Sequence, residues 1–442
     1  MAHFTLSTET LRLKYPSIDW DADIGCGTHV IDQVVLNLVI TWYIIGRTSI
    51  PPEFIVKFAT QGFGDKYLPC TIKQLKRLLP FLNDNFIQQF IDHQKIYFAL
   101  LFEPMEHKNV SKGQTIHFSG IRSCGGNRFG SFGSIIKVKE SVVNDEGVVS
   151  DHYFARKQSH GNVKSEQTLI RESGILRKLP ASDYLISLRA SYYMNKTTYL
   201  ILAPWCDTNM ESFFERKEVV PAYANMDKIA RWSMLSNWLP CMTYALSLLH
   251  ERKIRHKDIK PANILLNLQS AAVIPVLCDF GLSKEYITGT VGGEGTLFYA
   301  SPESLRGESV RRSGDIFSLG CVFLELACFI NGCRQKLKKL LAKRGFAYVI
   351  INSEFGVQEC LDLLPLHNPW WVDLVGIIKD MMNVEKNMRP TVGVILNRIS
   401  VMQAKVGLDV PFPCEGKTFS ASDESDERID VVDDNEDEEP LY

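Results

Sequence analysis

The run IRHKDIKPANILL, Ile254 to Leu266, sets a histidine, two lysines, an aspartate and an asparagine between apolar ends. Strands rarely carry so many charges at their middle. Any fold for this chain must therefore explain why Asp258, Lys260 and Asn263 sit so close together, and what Lys257 adds to them.

A chain of 442 residues is long enough to bury a substantial core and to hold two or more units. Its eleven cysteines are scattered singly, with no CxxC pair. That is the pattern of reduced thiols in a cytoplasmic or nuclear protein, not of a disulfide or zinc framework. The opening MAHFTLSTETLRLKYPS has no basic patch followed by an apolar core, so no signal peptide is expected. The apolar stretch Val34–Gly46 has 13 residues, too few to cross a bilayer, and reads as a buried helix. No nucleic-acid motif, lipidation signal or membrane span is expected.

The net charge of −2 hides an asymmetry. Residues 423–442 hold eleven acidic residues and one basic one, leaving +8 on the body against −10 on the tail. A tail so acidic and so poor in large apolar residues cannot offset its ordering entropy by burial, and disorder is expected over 406–442. It reads as a solvated tail or as a mask over a basic surface. The candidate surface is Arg334–Arg344, where Leu337, Leu340 and Leu341 share one helical face and cations cover the other. An ordinary solvated helix fits that segment as well.

Three textures follow one another. Residues 1–112 read as a helical extension, punctuated by GRTSIPPEF and ATQGFGDKY. From about 115 to 205 the pattern turns strand-like: FGSIIKVKES, DHYFARKQS, YLISLRASYY and TTYLILAP, interrupted by one helix, VKSEQTLIRESGILRKL. After 206 the chain is mostly helical to Gln403.

In GNRFGSFGSIIKVK, Gly130 and Gly133 sit in a turn between strand-like segments, where bare N–H groups can approach a phosphate. The strand FARK ends in Lys157, and the following helix carries Glu172. A lysine emerging inside a sheet is costly unless it pairs, and Glu172 would supply the partner. Viewed separately, each is as easily a surface charge.

The order decides: Gly-rich turn, strand lysine, helix glutamate, HKDIKPAN, CDFG, GTLFYASPE. From about residue 115 to 405 the sequence resembles the eukaryotic protein kinase family, and Lys260 with the Thr296 segment resembles its serine/threonine branch. FIDHQKIYFALLF and the helical N-terminal extension are loosely similar to kinase-domain proteins of filamentous fungi. The resemblance implies an α+β, bilobal protein-kinase fold over 113–405, with a small lobe over about 113–203 and a large lobe over about 206–405. It implies transfer of the γ-phosphate of ATP, with Mg²⁺, to serine or threonine hydroxyls of protein substrates. The alternative is a pseudokinase that binds nucleotide or serves as a scaffold. A partner at the N-terminal helices is a further expectation.

The resemblance also implies roles. Asp258 would orient the substrate hydroxyl, Lys260 would neutralise the moving phosphate, and Asn263 and Asp279 would hold magnesium. Lys157, paired with Glu172, would face phosphate oxygens. Gly130, Phe132 and Gly133 would form the phosphate-covering turn. Ile135, Ala155 and Leu265 would sandwich adenine, with Leu202 as gatekeeper and Ala203 to Trp205 as the hinge. Leu176, His256 and Phe280 would stack as a column, Glu303 and Arg389 would pair, and Asp315 would bond back to the catalytic loop. Cys278 reads as a buried inert thiol or a reactive one. Two positions depart from the family. Lys257 replaces an arginine whose fork grips a phosphorylated loop residue, with Thr288 or Thr290 the expected site and Ser283 and Tyr286 also available. Arg128 stands where the family has its first loop glycine. Ala262, where basophilic kinases often have glutamate, argues against a strict preference for basic substrates.

Overall fold

The computed structural model describes residues 34, 38–45, 48–61, 63–68, 70–97, 99–100, 102–111, 114–116, 118–120, 128–130, 133–143, 149–159, 162–269, 272–285, 290–291, 298–342, 344–366 and 369–406. The chain divides into two units: Met1–Phe102 with Val110–Ser119 and Glu140–Ser150, and Glu103–Asn109 with Gly120–Lys139 and Asp151–Tyr442. The acidic tail beyond 406 lies outside the described residues.

The first unit is built on helices α1 (Val39–Ile45), α2 (Phe54–Thr60), α3 (Ile72–Leu78) and α4 (Asp84–Tyr97). The apolar stretch at its start supplies core: Val34, Leu38, Ile44 and Ile45 pack with Phe58, Leu75 and Phe90. Unpaired N–H groups at the start of α1 would be costly in that setting. Asp65 meets them, accepting from Ile40 N at 2.7 Å and Thr41 N at 2.9 Å. Thr71 and Gln74 form a capping box at the start of α3. Phe58 meets Phe63 edge-on at 5.4 Å and Phe90 at 5.8 Å, geometry in which aromatic rings attract beyond simple burial.

The second unit opens with strand β1 (Glu106–Asn109), then β2 (Arg128–Gly130), β3 (Gly133–Val143) and β4 (Val149–Ser159), less residues 140–143 and 149–150 that count with the first unit, then helix α5 (Val163–Lys178), β5 (Ser187–Met194) and β6 (Thr197–Ala203). The sheet order is β1–β5–β6–β4–β3, with β2 turned back onto β3. All these pairings described in register are antiparallel except β1–β5, which is parallel. β1 falls inside the segment read from sequence as helical. Its residues, EHKN, alternate half-buried and exposed with no apolar member, so it leaves no hydrophobic period to detect. Main-chain pairing with Ala190–Tyr193 holds it at the sheet edge.

The chain then runs through α6 (Met210–Glu215), the 24-residue α7 (Lys228–Glu251), the hairpin β7 (Ile264–Asn267) and β8 (Ile274–Leu277), α8 (Arg312–Ile330), α9 (Arg334–Leu341), α10 (Pro369–Met381) and α11 (Val392–Ala404). α8 is apolar on every side because protein surrounds it. It is long and apolar enough to cross a membrane by length and composition, yet 83% of its apolar window is buried. The basic helix α9 corrects the expected division into an apolar and a cationic face. Leu337 and Leu341 are buried, but so is Arg334, whose Nε and Nη2 reach Glu325 at 2.8 and 2.7 Å. Its guanidinium also lies 4.7 Å from the Phe214 ring. The architecture is the α+β fold expected, a small sheet with one helix followed by a helical body and preceded by a helical region.

Candidate active site

The short hairpin β7–β8 fixes one end of the polar run. Ile264 pairs with Leu277, and Cys278 N continues the ladder onto Asn263 O at 3.0 Å, which brings the residues before Asp279 beside Asn263. Asn263 Nδ2 donates to Asp258 Oδ2 and to Asp258 O, each at 2.9 Å. Lys260 Nζ donates to the same Oδ2 at 2.7 Å. The three residues singled out in the sequence are thus one cluster, mostly buried, with a carboxylate at its centre. An ammonium beside that carboxylate cancels the cost of burying either charge alone.

Asp315, at the start of α8, holds the loop from beneath. It accepts from the main-chain N–H groups of His256 and Lys257 at 2.9 Å each, and from His250 Nε2 at 3.2 Å. Burial favours its neutral form. The bond and charge of His250, the charge of His256 and the main-chain donor outweigh this and hold its pKa below the ordinary aspartate value. His250 was not singled out by sequence; nothing but a histidine near the end of α7 marks it. Lys257 has φ +69, a left-handed conformation that ordinary side chains adopt rarely and that the Asp315 bond stabilises. His256 Nε2 faces Cys278 O at 3.0 Å, and Asp258 N donates to its Nδ1 at 3.3 Å. A carbonyl only accepts, so a proton sits on Nε2. Its ring lies 5.1 Å from Phe280.

Across the sheet, β4 sets Lys157 opposite Leu200. Lys157 Nζ lies 2.9 and 2.7 Å from the Glu172 oxygens and 2.8 Å from Asp279 Oδ1. Lys157 is 4% exposed and Glu172 fully buried, whereas the Asp279 side chain keeps 20% of its surface. Burial works against the ammonium, but the charges of Asp279 and Glu172 outweigh it and hold the Lys157 pKa above the ordinary lysine value. Burial, aided by the nearby Asp279 charge, raises the pKa of Glu172 despite Lys157. For Asp279 burial pulls the same way, but Lys157, His256 and Lys260 win and hold it low. Asp279 itself is left-handed at φ +67.

The apolar positions fall around this polar centre. Ala155 pairs with Leu202 across β4 and β6, Leu265 lies on β7, and all three pack on the core, as does Leu176 of α5. Ile135 faces Arg128 in the β2–β3 register, and Gly130 faces Gly133. Phe132, at the turn between them, lies outside the described residues. In the expected hinge, Ala203 O accepts from Ser187 Oγ at 3.1 Å and Trp205 O from Gln269 Nε2 at 3.1 Å. Burial and the neighbouring Asp279 carboxylate push the Cys278 thiol well up, which disfavours its thiolate.

After Asp279 the chain pairs Lys284–Glu285 with Ile254–Arg255, and later Thr290–Val291 with Ser309–Val310. Ser283, offered by sequence as a modifiable hydroxyl, is instead fully buried and donates to His256 O at 3.1 Å. Tyr286, Thr288 and Thr296 lie outside the described residues. Arg255 is buried and bonds Val310 O, so it ties the two strand pairs together. Farther off, Arg389 grips Glu303 through two parallel bonds of 2.7 and 2.8 Å and also donates to the carbonyls of Ser313 and Asn383.

Asn263 spends its amide N–H groups on Asp258, which leaves Oδ1 as a donor atom. Asp279 commits Oδ1 to Lys157, which leaves Oδ2. Two hard oxygens beside a buried ammonium fit a magnesium ion with phosphate attached. Among the described residues no cluster of three or more His, Cys, Asp or Glu side chains is arranged to hold a metal alone, so a metal here would need further oxygens from its ligand.

Residues 129–399 match the family model described as protein kinase domain. The chain is 33% identical over 160 residues to a probable serine/threonine-protein kinase of Dictyostelium discoideum, covering 36% of this chain and 16% of that protein. It is 34% identical over 172 residues to a MAP kinase kinase of Schizosaccharomyces pombe, covering 38% and 44%. It is 29% identical over 237 residues to the serine/threonine-protein kinase/endoribonuclease ire-1 of Caenorhabditis elegans, covering 51% and 22%. The chain therefore spans less than half the length of each of these relatives. It belongs to the protein kinase family.

Proposed function

From that membership we propose that the chain transfers the γ-phosphate of MgATP to serine or threonine hydroxyls of proteins. The observation that carries the reading is the Lys157 ammonium, buried and held between Glu172 and Asp279. The two carboxylates outnumber the ammonium, so anionic oxygens enter beside it together with a cation that balances them. The metal, when bound, spreads the charge of the phosphate oxygens. Asn263 and Asp279 hold it, and Lys157 faces the phosphates.

Asp258 accepts a hydrogen bond from the incoming hydroxyl and aims it in line with the phosphorus. It remains a weak base, and a loose transition state asks for little proton removal at the start. Lys260, already on the Asp258 carboxylate, moves its charge to the transferring group. A lysine at this position and the serine/threonine names of the relatives support the choice of hydroxyl. Transfer takes place in a reducing compartment, cytoplasmic or nuclear.

The test is transfer of labelled γ-phosphate to the protein itself and to a generic basic protein, for wild type against Asp258→Asn. Transfer by wild type that falls by about a thousandfold in the variant supports the reading. Folded wild type that binds MgATP but never transfers it, with or without substitution, refutes the catalytic reading and leaves a binding module.

A further inference from the structure

α8 ends in a two-bond terminator. Gly332 N donates to Phe329 O at 3.1 Å, and Cys333 N donates to Cys328 O at 2.8 Å. Asn331 is the C-cap, and Gly332 has φ +72, which glycine adopts without the Cβ penalty. This is a Schellman motif, and it sets the side chains of its first and last residues against each other. Here those residues are Cys328 and Cys333, and the 2.8 Å main-chain bond between them brings the two cysteines side by side.

The two thiols are not equivalent. Cys328 is fully enclosed within α8, whereas Cys333, the residue before α9, is buried but keeps 7% of its surface. Asn331 Nδ2 lies 3.7 Å from Cys333 Sγ, as a donor to it. The Cys328 thiol, then the Asn331 amide, main-chain donation and the Lys336 charge, lower Cys333 to about 6 against the opposing effect of burial. The same contact, with burial, drives Cys328 up. Cys333 is therefore the more acidic thiol of the two.

We propose that Cys328 and Cys333 form a dithiol site that reacts with hydroperoxides and closes to an intrachain disulfide. The Cys333 thiolate attacks one peroxide oxygen, the O–O bond breaks, and the departing oxygen leaves as water after taking a proton. Cys333 is then a sulfenic acid. The Cys328 sulfur displaces the hydroxyl from it, an S–S bond forms, and the hydroxyl leaves as water with the Cys328 proton. Two thiols lose two electrons and two protons, and the peroxide gains them. A disulfide spans Cα separations of roughly 4.4–6.8 Å, and a 2.8 Å main-chain bond between the same two residues keeps them in that range.

The test uses the full chain, reduced, freed of reductant and treated with equimolar hydrogen peroxide. It is then alkylated with N-ethylmaleimide under denaturing conditions and digested with trypsin. The peptide Ser313–Arg334 carries Cys321, Cys328 and Cys333. The expected product is two hydrogens lighter, with Cys321 alone alkylated, and dithiothreitol treatment before alkylation restores three alkylated sites. Cys333→Ser abolishes the product, and Cys328→Ala leaves Cys333 as a sulfenic acid trapped by dimedone. Cys328 and Cys333 both alkylated after peroxide, or Cys328 joined to Cys360 instead, overturns the proposal.

Discussion

The Arg389–Glu303 pair and the Lys157–Glu172–Asp279 group are both buried ion pairs, and they are built differently. Arg389 meets Glu303 through a bidentate fork and spends its other donors on carbonyls of Ser313, Asn383 and Val384, so the guanidinium is saturated within the protein. Lys157 is a point charge shared by two carboxylates, one of which keeps a fifth of its surface and an oxygen uncommitted. Saturated charge braces a fold, and shared, unsaturated charge is ready to receive something else.

Breaking the first pair should cost the most. Glu303→Ala strands a buried guanidinium, and the denaturation midpoint should fall by the equivalent of about 3–5 kcal/mol. A loss below about 1 kcal/mol would sink the distinction. Lys157→Met should instead reduce transfer by roughly a hundredfold to a thousandfold while stability changes little. Asp279 reaches solvent, and without Lys157 burial favours the neutral form of Glu172, so neither is left as a stranded charge. Unfolding of that variant as severe as Glu303→Ala would make the two pairs the same kind of object.

Acid titration sharpens the contrast. Burial works against the Glu303 charge, but Arg389 lowers its pKa in the folded state. Its contribution is complete above the unfolded glutamate value, about 4.3, and is lost as pH falls through the lower folded value. The stability gap between wild type and Glu303→Gln should stay level from about pH 7 to 5 and close below about 4. Glu172 shifts the other way, so wild type should lose ground to Glu172→Gln as pH rises from about 4.3 toward the folded value. Parallel slopes for the two variants, read by urea unfolding across that range, would contradict these assignments. The smallest effect belongs to Lys257→Arg. Its main-chain N–H is what Asp315 holds, so stability should stay within about 0.5 kcal/mol. A larger shift would mean that the side chain shapes the loop.

What the sequence disclosed follows from how locally each feature is written. Asp258, Lys260 and Asn263 lie within six residues, and the spacing alone put them in one cluster. Lys157 and Glu172 became a pair through the order of the motifs around them, because a strand lysine and a helix glutamate read separately fit surface charges as well. Strand β1 was missed because EHKN pairs through its main chain and its side chains leave no period. The burial of Arg334 was missed because its partners, Glu325 and Glu215, come from other helices. The cysteines looked scattered because no CxxC joins them, whereas Cys328 and Cys333 are brought together by a helix terminator six residues long.

Asp315 makes its bonds to His256 and Lys257 across 59 and 58 positions of sequence. The charged loop leaves the ribosome well before the helix that shapes it, and that helix must dock before the left-handed turn at Lys257 has its support. Closing so long a segment is entropically slow. A nascent chain halted before residue 315 therefore displays every group of the catalytic run without the bonds that hold it at His256 and Lys257. The protein acquires its site late in its own synthesis, once α8 has followed the loop out.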